Sequence, residues 1–198
     1  MTQVLAALAA MGEAVVVGRV VANLGYRIFP TSELVCPGCA AGVAASLPGA
    51  DDDTFIYSAW SFVGYTIQYD LYASDITFLD SSVKCRDCEF PATTLETGNS
   101  NCVGSSALLA SILRNRLPPE RVMMVVGNYT RNGVGGHAWV EVLRDDWYIL
   151  EATASPQGWR LASASPEYVP LIFFNDVGRT SIRSAVKLGI GRCGSLAL

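Results

Sequence analysis

Histidine is almost missing from this chain of 198 residues; His137 is the only one. Imidazole alone among side chains has an unperturbed pKa between pH 5 and 8, so any imidazole chemistry at neutral pH must occur at that position. Charge is also scarce. Charged residues make up 16% of the chain, the net charge is −4, and no basic run or stripe is present. That balance speaks against nucleic acid or an anionic membrane as a main partner. No apolar stretch reaches the 18 or more residues a membrane span needs, because Glu13 and Arg19 interrupt the Ala- and Val-rich segment 1–21. The same segment lacks a positively charged start, which disfavours a secretory signal. An apolar helix carrying Leu5, Leu8, Val15, Val16 and Val20, in a cytoplasmic protein, is the expectation. Internal repeats, long linkers and low-complexity tracts are absent as well.

Half of the residues are apolar, enough to build one core of moderate size. The chain is expected to divide into a helical extension over 1–55 and a main domain over 56–198. Six cysteines are present: Cys36, Cys39, Cys85, Cys88, Cys102 and Cys193. Four of them form two Cys-x-x-Cys pairs. In a chain of this size without a clear signal peptide, that pattern reads as metal ligation before it reads as a disulfide framework. Four thiolates at Cys36, Cys39, Cys85 and Cys88 match a closed, tetrahedral structural zinc site. The long gap between the pairs would make such a site clip distant parts of the domain together. Two local disulfides or a redox pair are the alternatives.

Periodicity predicts a helix around 58–64 and an extended segment over 67–71. A turn-rich stretch over 91–98 should lead into a second helix over 102–115, on which Leu108, Leu109, Ile112 and Leu113 recur at helical spacing. Leu117-Pro118-Pro119 stops that helix. A buried strand is expected over 121–127, a flexible loop over 132–136, a hairpin with arms at 137–143 and 147–151, and a strand over 168–174.

Cys102 falls in the first turn of its helix, where backbone N–H groups and the helix dipole favour a thiolate and could support an oxyanion. A buried, inert cysteine is the alternative reading at that position. On the strand that starts at His137, residues 137, 139 and 141 share a face because side chains alternate with a period of two. Glu141 lies about 13 Å along that strand, too far to orient the imidazole. Glu151 can reach it if the hairpin register sets Glu151 opposite Trp139, which makes it the diagonal neighbour of His137 at about 7–8 Å between backbones. That register needs an odd-length loop, most simply Arg144-Asp145-Asp146; a two-residue loop would turn Glu151 to the wrong face.

The ordered pieces Ala59-Trp60-Ser61-Phe62-Val63, Thr94-Leu95-Glu96-Thr97-Gly98, Asn101-Cys102, Gly136-His137-Ala138-Trp139-Val140-Glu141-Val142 and Trp147-Tyr148-Ile149-Leu150-Glu151-Ala152-Thr153 resemble the transglutaminase-like superfamily of papain-like thiol enzymes, among them the bacterial and archaeal transglutaminase-like cysteine proteases. The resemblance covers about 60–153. It implies an α+β fold in which the nucleophile helix packs on an antiparallel sheet. It also implies Cys102 as nucleophile, His137 as general base and acid, and Glu151 as the acid that orients it. Two departures stand out: Asn101 replaces the Asp often found before the cysteine, and Glu151 replaces the usual Asp. Gln68, Asn101 and the Cys102 amide are the oxyanion-hole candidates. The implied activity is hydrolysis of an amide or peptide through a thioester, or acyl transfer to an amine, on a protein or peptide substrate. A non-catalytic binding module of the same fold is the competing class. Paired Cys-x-x-Cys motifs before a catalytic cysteine are also similar to peptide N-glycanases, a further alternative. A zinc hydrolase fails on ligand logic, since four cysteines leave no open position for water.

Overall fold

The computed structural model describes residues 26–70, 75–78, 82–131 and 135–180. The expected N-terminal apolar helix, Cys193 and part of the expected loop, 132–134, lie outside them. At the centre stands helix α4, Cys102–Leu113, all twelve of whose residues are buried. Its Ala, Ser and Gly positions let neighbours approach closely, while its Leu and Ile residues fill the space between them; a helix without a polar face is stable only when clad on every side. Helices α1 (Pro37–Ser46), α2 (Asp52–Thr66) and α3 (Pro91–Thr97) supply part of that cladding, and a sheet supplies the rest.

Two of these helices differ from the sequence expectation. Helix α2 starts six residues before the expected helix because Asp51 caps it, its Oδ1 accepting from the Thr54 amide at 2.7 Å. Asp52 and Asp53 then sit in the first turn, where the helix dipole favours negative charge. The stretch 91–98 is helix α3 and not a turn. Pro91 occupies the first turn with its φ already set, and Gly98, at φ 68°, closes the C-terminus in the left-handed region that glycine adopts without penalty. Helix α1 falls within the stretch 1–55 that was expected to be helical, although the sequence reading set no bounds for it.

Among the described residues the main sheet has six antiparallel strands in the order β11-β10-β6-β7-β8-β9, with β6 at Val122–Tyr129, β7 at Gly135–Leu143, β8 at Trp147–Leu150, β9 at Arg160–Leu161, β10 at Tyr168–Asn175 and β11 at Gly178–Thr180. Strands β6, β7, β8 and β10 realise the expected strands within a residue or two. One face of the sheet packs on α4 through Ala138, Val140 and Val142 of β7. The opposite face carries a second apolar cluster of Val125, Trp139, Ile149 and Tyr168. A smaller antiparallel sheet joins β1 (Arg27–Pro30), β4 (Ser82–Arg86) and β3 (Asp75–Phe78), and a short parallel pair joins β2 (Gln68–Tyr69) to β5 (Asn99–Ser100). The chain is α+β, with the Cys102 helix packed on an antiparallel sheet.

Candidate active site

The β7–β8 hairpin pairs Val140 with Leu150 and Leu143 with Trp147, leaving Arg144, Asp145 and Asp146 as a three-residue loop. One step beyond the last pair, Glu151 follows Leu150 toward Trp139, the register that brings its side chain to His137. Two tethers to α2 hold this hairpin in place. The Arg144 guanidinium forms a two-point ion pair with Asp53, its Nε 2.6 Å from Oδ1. The Trp60 indole donates to the Glu151 carbonyl at 2.8 Å.

His137 Nε2 lies 2.7 Å from Glu151 Oε2, which leaves Nδ1 for a second partner. Cys102 is the other side-chain hydrogen-bond partner of the imidazole. Glu151 is saturated by donors. Besides His137, Oε2 accepts from the Tyr168 hydroxyl at 3.0 Å, and Oε1 accepts from the Thr153 amide at 3.1 Å and its hydroxyl at 2.7 Å. Thr153 lies two residues on from Glu151, and Tyr168 reaches the site from β10, across β6 from the histidine. Neither was anticipated as a site residue. Glu151 itself gives the signal for Thr153, since a Thr two residues after a carboxylate can fold back on it. Nothing local marks Tyr168.

Burial shapes the charges. The His137 side chain is 15% exposed and that of Glu151 22%. Desolvation by itself would lower the His137 pKa, but the hydrogen bonds that the imidazolium donates to Cys102 and Glu151, together with their negative charge, outweigh it and push the value up to about 10. For Glu151 burial opposes ionisation, yet the bond and charge of His137, followed by the two Thr153 donors, hold its pKa below the ordinary carboxylate value. Burial raises the Tyr168 hydroxyl, and the Glu151 charge adds to the effect, so Tyr168 remains a protonated donor. Glu141, which strand distance removes from the imidazole, instead accepts from the Trp139 indole at 3.0 Å; burial raises its pKa and that bond only partly offsets the rise.

The nucleophile end is built by Asn101. Its side chain caps α4, with Oδ1 accepting from the Val103 amide at 2.8 Å and the Gly104 amide at 3.3 Å. Asparagine caps a helix as well as aspartate does, so this departure from the family pattern leaves the helix start intact. It also turns Oδ1 inward, onto the helix. Gln68, on the exposed β2, pairs its strand with Asn99. A carboxylate that sequence reasoning missed fixes Asn101 in turn: Glu89 Oε2 accepts from the Ser100 hydroxyl at 2.6 Å and from the Asn101 amide at 3.1 Å. Gly104 makes room for this contact, since a Cβ there would stand 2.1 Å from Ser100 Oγ and 2.9 Å from Glu89 Oε2. Cys102 is only 1% exposed.

The structure corrects the expected zinc centre. Cys36 is disulfide-bonded to Cys39, and Cys85 to Cys88, so none of the four offers a thiolate. Among the described residues no three His, Cys, Asp or Glu side chains converge on a point where a metal ion could sit. The reason lies in how the pairs dock on α4. The Cys36 amide bonds Ser111 Oγ at 2.8 Å, while Glu89, next to Cys88, bonds the Asn101 amide. Ten residues of helix separate those anchors, about 15 Å at 1.5 Å per residue. The residues present do not fit a four-sulfur cage.

A cavity of about 310 Å³ opens beside His137 and Glu151, walled by Trp60, Tyr129, Arg131 and Arg160 among others. No helix among the described residues is long and apolar enough to cross a membrane.

A cysteine at a helix start and a histidine–carboxylate pair on the adjoining antiparallel sheet form the α+β arrangement expected from the sequence. No protein-family model matches the chain, and no curated protein matches it in sequence. Among solved structures it is similar to LapG of Legionella pneumophila, at 15% identity over 74% of this chain and 86% of that one, with a TM-score of 0.49. The calcium-bound form of LapG matches at 16% identity over 78% of this chain and 94% of the other, with a TM-score of 0.48. A candidate cysteine protease from Cytophaga hutchinsonii matches at 15% identity over 74% of this chain and 49% of that chain, with a TM-score of 0.42. The chemistry of the site rests on this chain's own residues.

Proposed function

We propose that this chain is a thiol-dependent amide or peptide hydrolase using Cys102, His137 and Glu151. The observation that carries the reading is the single hydrogen-bonded line through the only histidine: thiol to imidazole, and imidazole to a saturated, ionised carboxylate. At neutral pH the proton resides on His137, so the resting pair is thiolate and imidazolium. The Cys102 sulfur attacks the amide carbonyl, forming the C–S bond, and the carbonyl oxygen takes the electron pair. Amides at the start of α4 are the donors closest to that developing charge.

Attack consumes the thiolate charge that helped hold the proton on the imidazole. The imidazolium therefore becomes a stronger acid when the leaving nitrogen needs a proton. Collapse of the intermediate breaks the C–N bond, the His137 proton passes to the departing nitrogen, and the neutral amine leaves behind a thioester. Neutral His137 then takes a proton from water as the water oxygen attacks the thioester; collapse of that intermediate breaks the C–S bond, giving the carboxylic acid and restoring the thiolate–imidazolium pair. Water is the simplest acceptor, which favours hydrolysis over transfer to an amine. Throughout, Glu151 fixes the ring orientation and compensates the imidazolium.

The resemblance of the sequence to transglutaminase-like cysteine proteases favours a protein or peptide substrate. Labelling by a chloroacetamide probe tests the pair directly. Cys102 in the wild-type protein should label about 10³-fold or more faster than in His137→Ala. Equal rates in the two would mean a thiol that the histidine does not activate, and would favour a non-catalytic module of the same fold.

A further inference from the structure

The cavity beside His137 has a charge imbalance that the reaction does not use. Three of its four charged wall residues are already balanced or explained. Glu151 is compensated by His137 and filled by four donors. Arg160 is compensated by Glu167, with NH1 3.2 Å from Oε1, and lies over the Tyr168 ring at 5.7 Å. Arg131 is the remaining charge: it is exposed, it lines the cavity, and it forms no ion pair among the described residues. A protein with a net charge of −4 has thus placed an uncompensated guanidinium in the wall of its own candidate active-site cleft. Around it stand the rings of Trp60, Tyr129 and Tyr168, with little polar capacity to spare for another cation.

We propose that this cavity is an acidic-side-chain subsite, in which Arg131 binds the carboxylate of an Asp or Glu residue flanking the scissile amide of the substrate. A guanidinium presents a planar fork of donors that matches a carboxylate two-fold, and charge-assisted bonds of this kind are stronger than neutral ones. The aromatic walls bury the aliphatic stem of the same side chain. At about 310 Å³ the cavity has room for such a side chain. A basic substrate residue would meet the guanidinium as a like charge, so the subsite also rejects lysine and arginine. The inference rests on the hydrolase reading of this cleft for the position of the scissile bond, but binding of the acidic side chain itself requires no turnover.

The test uses a pool of unstructured peptides and its partner pool in which every Asp and Glu is replaced by Asn and Gln. Binding of each pool to the Cys102→Ala protein is measured by calorimetry or fluorescence of Trp60, and binding to Cys102→Ala with Arg131→Gln is measured alongside. The acidic pool should bind about tenfold tighter than its amide partner. Arg131→Gln should bring the two pools close to equality, while Arg131→Lys should retain part of the difference, since charge survives without the fork. Equal affinity for both pools, or an acid preference that persists in Arg131→Gln, overturns the subsite. Chloroacetamide labelling of wild-type Cys102 reports on the hydrolase reading separately. A reactive thiol with no acid preference sinks only the subsite; an acid preference beside an inert thiol leaves the subsite standing and sinks the hydrolase.

Discussion

Two carboxylates support the nucleophile from opposite ends of the site, and they do so by different physics. Glu151 stands behind His137 at the hairpin end, and Glu89 stands behind Asn101 at the start of the Cys102 helix. Each is at least half-buried and each accepts hydrogen bonds from the chain. Yet the pKa of Glu151 is lowered and that of Glu89 is raised. The first faces an imidazolium and two donors from Thr153, enough to offset desolvation. The second faces only the neutral Ser100 hydroxyl and Asn101 amide, which do not offset the cost of burying its charge, and the nearby charge of Asp70 raises it further. The site needs the negative charge of Glu151, whereas from Glu89 it needs only an acceptor atom.

The sharpest way to break that contrast is Glu151→Gln. The amide keeps the size of the side chain and removes its charge, and it can present an N–H to the ring where an acceptor is needed. Loss of kcat/KM by about 10²- to 10⁴-fold is expected, with the alkaline limb of the pH–rate profile moving down because the imidazolium loses its compensating charge. A variant that keeps its activity and its alkaline limb would show that Glu151 positions nothing that matters.

Stability against pH carries the next largest signal. The folded pKa of His137 is raised from 6.5 to about 10, so its contribution is fully present below pH 6.5 and lost as pH rises through about 10. Glu151 is shifted the other way: its contribution is present above its ordinary value of 4.5 and is lost as pH falls through its lowered pKa. The difference in stability between wild type and Glu151→Gln should therefore be greatest between pH 4.5 and 6.5, at about 2 kcal/mol, and shrink toward pH 10. Thermal melts of both proteins across pH 4 to 10.5 read this difference. A constant offset over the alkaline range would contradict the coupling of the two residues.

The hairpin half of the comparison was legible in the sequence and the helix-start half was not. Strand alternation and a three-residue loop are local rules, so they placed Glu151 on the His137 face from sequence alone, and the observed pairs Val140–Leu150 and Leu143–Trp147 follow that register. Cys102 at a helix start was legible for the same reason. Glu89 reaches Asn101 only because helix α3 folds back between them, and that helix had been read as turns. Tyr168 arrives through the pairing of β10 with β6, a contact between distant segments that no local pattern encodes. The cysteines show the same limit from the other side. Spacing gives two good pairs but does not say whether the pairs meet, and in the structure each pair closes on itself as a disulfide. Local geometry is written in the sequence; which distant groups share a point is decided by packing.

The smallest effect tests the other carboxylate. Because a single oxygen, Glu89 Oε2, accepts both bonds, a glutamine carbonyl can take over both. Glu89→Gln should then alter stability by no more than about 1 kcal/mol at neutral pH, since removal of a charge that burial disfavours offsets the weaker acceptor. Glu89→Ala leaves the buried Ser100 hydroxyl and the Asn101 amide without that acceptor, and should cost about 1–3 kcal/mol and slow labelling of Cys102. The pH dependence has the opposite sign to that of Glu151. With a raised folded pKa, the burial penalty of Glu89 is present at neutral pH and relieved as pH falls, so Glu89→Gln gains on wild type at pH 7 and loses that advantage toward pH 4. If Glu89→Gln instead destabilises as much as Glu89→Ala, with labelling slowed equally, the charge of Glu89 is needed after all and the distinction between the two carboxylates disappears.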